Sequence, residues 1–210
     1  FIGLSNYINL FTVDSEFWNS LKVTCEYTLI TVPGKLLLSL FIAILMNQKI
    51  KGIGVYRTLY YIPSLFAGSI AVAILWKLMF MDEGIVNSIL GNLGIGPVSW
   101  LGDKRFALIT ICLLEIWQFG SSMILFLAAL KNVPVELYEA ARMDGAGSIR
   151  CFFSITIPQI TPIIFFSIIN QSISALQNFT YASVITNGGP LKSTNVLALK
   201  LYKEAFAYQK

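Results

Sequence analysis

Residues 151–191 run for 41 positions without a single Asp, Glu, Lys or Arg. An apolar, uncharged interval of that length is hard to place in a water-soluble fold. A membrane-crossing helix needs only about 20 such residues. The feature recurs. Residues 58–76 form a 19-residue uncharged run, and residues 106–130 are interrupted only by Glu115. Residues 23–48 carry only Glu26 and Lys35. The chain as a whole is 12% charged, against about 25% for a soluble domain. Lipid is therefore the expected solvent. Long Leu/Ile/Ala/Phe runs replace strict alternation, which argues for helices over a transmembrane β-barrel. Four spans are expected, at about 23–47, 58–80, 106–130 and 161–185.

The side-chain inventory excludes several chemistries. The chain has no histidine, so imidazole bases and histidine-ligated metals are absent. Cys25, Cys112 and Cys151 are far apart in apolar contexts and read as small buried hydrophobes rather than ligands or a disulfide framework. No metal site is expected. No dense Lys/Arg run suggests a nucleic-acid partner. The opening Phe1-Ile2-Gly3-Leu4 is not Met-initiated and lacks a signal-peptide pattern, so native terminal sequence is expected to be missing.

The connections differ in character. Residues 48–57 carry three positive charges and no acid, which places them on the cytoplasmic side. Alternation then puts 81–105 outside, 131–157 inside and 186–210 outside. Residues 1–20 read as an amphipathic or loop segment outside the core. Asn187-Gly188-Gly189-Pro190 is a strong turn signal. Pro63 is expected to kink the second span, and Ser64-x-x-x-Gly68 and Ala67-x-x-x-Ala71 permit close helix contact.

The most informative connection is 131–158. Pro134 suits a helix start, Glu136 to Met143 is a run of helix formers, and Gly145 and Gly147 stop it. A second short helix starts near Ser148. On physical grounds alone this is a helix–glycine turn–helix at the membrane surface, and an ordinary amphipathic connector is an adequate reading.

Its spacing says more. Glu139-Ala140-Ala141, three residues, Gly145, nine residues and Ile155-Thr156-Ile157-Pro158 resembles the "EAA" signature of ABC importer membrane subunits. There Ile157 stands in place of leucine. Asn6-Tyr7, Arg57-Thr58-Leu59 with Pro63, Trp100-Leu101-Gly102-Asp103, Pro134 with Glu136-Leu137-Tyr138, and Thr186-Asn187-Gly188-Gly189-Pro190 are similar to the carbohydrate-uptake branch, the maltose and glycerol-phosphate type permeases. The resemblance covers essentially the whole chain. It implies an all-α polytopic membrane bundle, of which this chain carries four spans where six are typical. It implies one transmembrane domain over 1–210 with a cytoplasmic EAA loop at about 131–158.

The resemblance also implies a role. Glu139, Ala140, Ala141, Asp144, Gly145 and Pro158 would couple the chain to an ATPase. The alanines permit close approach, the acids meet basic groups, and Gly145 allows the turn. A second homologous permease, two ATPases, an extracytoplasmic binding protein, membrane lipid and a sugar are the implied partners. No Gly-x-x-x-x-Gly-Lys-Ser/Thr pattern occurs, so ATP and magnesium belong to partner subunits. No cofactor and no catalytic residue is expected here.

Polar residues in a membrane segment are costly and often functional. Ser167, Gln171, Ser174, Asn178 and Tyr181 step by four and three, with Asn170 and Gln177 beside them, and so predict one helix face. Interhelical hydrogen bonding accounts for one such residue, and a lined pathway better accounts for seven. Amides and hydroxyls suit sugar hydroxyls. Gln171, Ser174, Gln177 and Asn178 are expected to line the path, with Tyr181 as a stacking surface. Glu115, Gln118 and Ser121, with Ser122 and the adjacent Trp117, form a weaker parallel on the third span. If Lys35 and Glu115 both face the path, the substrate carries charge. The alternatives are a permease for a charged sugar, glycerol-phosphate or amino acid, a membrane enzyme, or a passive channel. The absence of histidine and of a usefully spaced acidic pair disfavours the enzyme.

Overall fold

A computed structural model describes residues 3–48 and 52–207. Lys49 and Lys51 of the basic 48–57 connection lie outside the described residues. All regular structure among the described residues is helical. In chain order the helices are α1 (Ser5–Thr12), α2 (Ser15–Met46), α3 (Ile53–Leu65), α4 (Ile70–Met79), α5 (Ile85–Asn92), α6 (Lys104–Trp117), α7 (Gly120–Lys131), α8 (Val135–Met143), α9 (Ser148–Cys151), α10 (Ile157–Leu176) and α11 (Leu197–Tyr202). Wider π-type turns occupy Phe152–Thr156, Ala182–Thr186 and Lys203–Ala207.

Two stretches, Ser15–Met46 and Ser148–Leu176, are each long and apolar enough to cross a membrane. The number rises to four if α3 with α4, and α6 with α7, each count as one broken span. The continuous helices expected over 58–80 and 106–130 are thus interrupted. The first break does not fall at Pro63, which α3 accommodates. It falls at Gly68, whose φ of 76° stops a helix without the steric penalty a Cβ would bring. The second falls at Gln118 and Phe119. The helix expected over 161–185 ends earlier, at Leu176. The expected 81–105 loop contains α5, which starts after the extended Gly84 and is followed by the left-handed Gly94.

The chain divides into two compact units. The first gathers the chain up to Thr31, Phe66–Glu115 and the chain from Ser172 onward. Its core holds Val23, Tyr27, Ala73, Ile111, Cys112, Leu114, Ile185 and Leu199. The Trp76 indole N–H donates to the Thr110 carbonyl at 3.0 Å, joining α4 to α6. Asn87 organises the following loop. It donates to the Asp82 and Val98 carbonyls and accepts from the Val98 amide and the Trp100 indole. Trp100 packs edge-on against Phe80 and against Phe106.

The second unit comprises Val32–Leu65 and Ile116–Gln171. Its core includes Leu36, Ala43, Met123, Phe126, Leu127, Leu130 and Ile160. Gly120 lets α7 approach α3 closely, since a Cβ there would collide with the Ser64 hydroxyl and the Tyr60 carbonyl. The Phe119 carbonyl accepts the Met123 amide at 3.0 Å and the Ser39 hydroxyl at 3.1 Å.

Candidate functional site

The helix–glycine turn–helix expected over 131–158 is present in the second unit. Pro134, with extended backbone, precedes α8. After α8 the Gly145 amide donates to the Arg142 carbonyl at 3.0 Å, and the Ala146 amide to the Ala141 carbonyl at 2.9 Å. Gly145 has φ of 78°, the left-handed conformation that closes a helix. Gly147 is extended and leads into α9. Among the motif residues, Glu139, Ala140, Asp144, Gly145 and Pro158 are exposed and Ala141 is half-buried.

Of the small apolar side chains on α8, Leu137 and Ala140 are exposed and Ala141 is half-buried, so these are not what the helix turns inward. Tyr138 faces in, its hydroxyl 2.7 Å from the Thr156 hydroxyl. The missed feature is apolar and outward: Met143 is 89% exposed, and Val135 and Ile149 are also exposed. Its only sequence signal was three aliphatic residues amid charges. Beside α8, Ile44, Tyr138, Arg142, Ile149, Cys151 and Phe152 line a cleft of about 610 Å³.

Of the polar residues of the fourth segment, Ser167, Asn170, Gln171 and Ser174 keep one helical register on α10, while Gln177, Asn178 and Tyr181 lie beyond its end. Ser167, Asn170 and Gln171 belong to the second unit, while Ser174, Gln177, Asn178 and Tyr181 belong to the first. The 3.6-residue register holds only to Leu176, where α10 ends. In the second unit Gln171 donates to Ser122 at 3.0 Å. Gln118 is 1% exposed, whereas Ser121 and Trp117 are exposed. Lys35 is only 5% exposed.

In the first unit the Asn178 amide donates to the Tyr27 hydroxyl at 2.9 Å. The same hydroxyl is hydrogen-bonded to half-buried Glu115. The structure thus joins Asn178 and Glu115 through Tyr27, a residue not singled out in the sequence because a lone tyrosine among apolar residues carries no signal. Ser174 and Gln177 are exposed. Tyr181 is not a stacking surface here. It is 2% exposed, and its hydroxyl accepts the Gly68 amide at 2.7 Å, closing the backbone break between α3 and α4.

The first unit also holds the Asn187-Gly188-Gly189-Pro190 turn. Asn187 and Gly188 are left-handed, with φ of 50° and 85°. The Thr194 hydroxyl lies 2.6 Å from that of Thr186 and bonds the Gly189 carbonyl at 2.8 Å. Lys203 donates to the Asn187 carbonyl at 2.8 Å. This turn and the Asp82–Gly84 bend border a cavity of about 800 Å³ that also takes in Lys77, Leu101 and Gly102. Nearby, Asp103 accepts both the backbone and the guanidinium of Arg105, which hold its carboxyl down at about 2. Among the described residues no cluster of acidic or sulfur side chains is arranged to hold a metal ion.

Residues 24–208 match the family of binding-protein-dependent transport system inner membrane components. The chain is 48% identical to the probable ABC transporter permease protein YesP of Bacillus subtilis, over 99% of this chain and 68% of that protein. It is 38% identical to the sulfoquinovosyl glycerol transport system permease protein SmoG of Agrobacterium fabrum, over 99% of this chain and 68% of that one. Among solved structures, a bacterial alginate ABC transporter in complex with an alginate pentasaccharide-bound periplasmic protein shares the fold. That likeness has a TM-score of 0.84 at 23% identity, covering 99% of this chain and 73% of that one. With the EAA spacing in place on α8 and its following turn, the chain belongs to the binding-protein-dependent transport system inner membrane components, the permease subunits of ABC transporters.

Proposed function

We propose that this permease is the multi-pass plasma-membrane subunit of an importer for a sugar or oligosaccharide, delivered by an extracytoplasmic binding protein. It pairs with a second homologous permease, and two ATPases, which carry the ATP and magnesium, dock on its cytoplasmic face. The observation that carries this reading is the exposed α8–Gly145–α9 element. It presents Glu139, Met143 and Ile149 on an otherwise ordered scaffold. A rigid exposed helix with an apolar tip and charged flanks fits a groove on a partner and transmits its motion. Closure of the ATPases would then switch the path between its two openings, and hydrolysis would reset it.

The sugar part rests on the chemistry of the polar side chains. Gln171, Ser174, Gln177, Asn178 and Ser121 offer both donors and acceptors, as sugar hydroxyls require. The transport of sulfoquinovosyl glycerol and of alginate by the two relatives supports the same class.

Uptake of radiolabelled sugars by the assembled transporter tests both parts. Glu139→Ala and Gly145→Val should lose uptake or ATPase assembly, and normal values in both would sink the coupling role. Gln177→Ala and Asn178→Ala should change substrate preference or rate. Unchanged values in both would remove them from the path.

A further inference from the structure

α1 is an eight-residue helix that buries none of its own side chains. Its apolar residues are nonetheless ordered. Tyr7, Ile8 and Phe11, with Leu4 just before the helix, follow the spacing i, i+3, i+4, i+7 and share one face. Each is 52–69% exposed. Ser5, Asn9 and Thr12 lie on the other side. Leu10, at the edge of the stripe, turns to a cleft shared with Phe17, Leu197 and Leu201. The helix is therefore seated along one edge while its apolar stripe points away from the protein.

The way α1 is held adds to this. The Trp18 indole donates to the Phe11 carbonyl at 3.0 Å. Phe11, Phe17 and Trp18 stack edge-on or tilted with centroids 5.4–6.2 Å apart. A single Val13–Asp14 connection then leads into α2, which is long and apolar enough to span. An amphipathic helix with a Tyr/Ile/Phe stripe, fixed by a tryptophan at the mouth of a spanning helix, has the composition of a membrane–water interface.

We propose that α1 lies in the plane of the bilayer surface at the N-terminal end of α2, with Leu4, Tyr7, Ile8 and Phe11 sunk among the upper acyl chains. The occupant is phospholipid rather than a protein partner. The stripe carries no charge, and it is continuous along the chain with α2, whose Leu29, Leu37 and Phe41 are themselves exposed apolar side chains. The inference rests on the reading of α2 as a membrane span.

The assembled transporter, with Cys25, Cys112 and Cys151 replaced by alanine, is given single cysteines at Ser5, Ile8, Asn9 or Phe11. Each is labelled with an environment-sensitive fluorophore and reconstituted into phosphatidylcholine vesicles brominated at shallow or deep acyl positions. Leu29 and Leu37 serve as controls on α2. Labels at Ile8 and Phe11 should be quenched by shallow bromines about threefold more than labels at Ser5 and Asn9, with aqueous iodide giving the reverse order. Equal lipid quenching at all four positions overturns the proposal. So does protection of Ile8 and Phe11 from both quenchers, which would mean a protein partner covers the stripe. Deep quenching at Leu29 and Leu37 together with either result overturns the α1 proposal alone. Loss of quenching at Leu29 and Leu37 overturns the spanning reading beneath it.

Discussion

The hydroxyl of Tyr138 lies 2.7 Å from that of buried Thr156, tying the middle of α8 to the end of the wider turn that leads into α10. This inward contact sits directly before the exposed motif residues Glu139 and Ala140. Tyr138→Phe removes one hydroxyl and leaves that of Thr156 without its partner, a cost of about 1 kcal/mol. ATPase binding should survive while sugar uptake per ATP hydrolysed falls. Uptake and hydrolysis measured together in reconstituted vesicles check this, and an unchanged ratio would remove the contact from coupling.

At Gly145 an added Cβ meets nothing within 4 Å, but φ is 78°. Any loss of the chain's own stability on substitution therefore reports backbone strain and not a clash within the chain. Gly145→Ala should cost about 1 kcal/mol, and Gly145→Asn, which tolerates the left-handed region, should cost less. The order of residual uptake is Gly, then Asn, then Ala. Equal activity of the two variants would show that the conformation is not what matters.

Gly120 is the opposite case. Its Cβ would strike the Tyr60 backbone and the Ser64 side chain. Gly120→Ala should destabilise by about 1–3 kcal/mol, as overpacking does. Gly91→Ala, in α5 with open space around it, should be neutral or stabilising. Thermal unfolding of the purified protein in detergent separates the two.

Tyr27→Phe and Tyr181→Phe each strip a donor of its acceptor, the Asn178 amide in one case and the Gly68 backbone N–H in the other. Each should cost about 1–3 kcal/mol if the donor stays buried. Tyr27→Phe should also alter transport, because it frees Asn178 and Glu115. Tyr181→Phe should lower Tm with the substrate preference unchanged. A change of preference in Tyr181→Phe alone would reverse these assignments.

Asp14 accepts from the buried Lys200 at 2.8 Å, and that hydrogen bond is the main reason its carboxyl is held below the usual value. A depressed acid stabilises the fold above its unfolded pKa and loses that contribution as pH falls through the folded value. The Tm difference between wild type and Asp14→Asn should be constant near neutrality and shrink below about pH 4. A difference that does not shrink at all as the pH is lowered below about 4 would place the effect outside this ion pair.

Much was legible in the sequence. The uncharged runs predicted where apolar helices lie, because the requirement for about 20 apolar residues is local to each segment. The Glu139–Pro158 spacing was legible because the glycine turn and the helices around it depend on neighbours only a few positions away. The breaks at Gly68, at Phe119 and after Leu176 were not, and neither was the burial of Tyr181 and Lys35. Tyr181 closes the Gly68 break from 113 positions along the chain, and periodicity carries no record of a contact that distant. The same holds for the faces of α1 and α8. Sequence alone left residues 1–20 as an amphipathic or loop segment and placed a helix over Glu136–Met143. Only the packing of Leu10, Phe17 and Tyr138 decided which side turns inward, and so which side is left for lipid or for a partner.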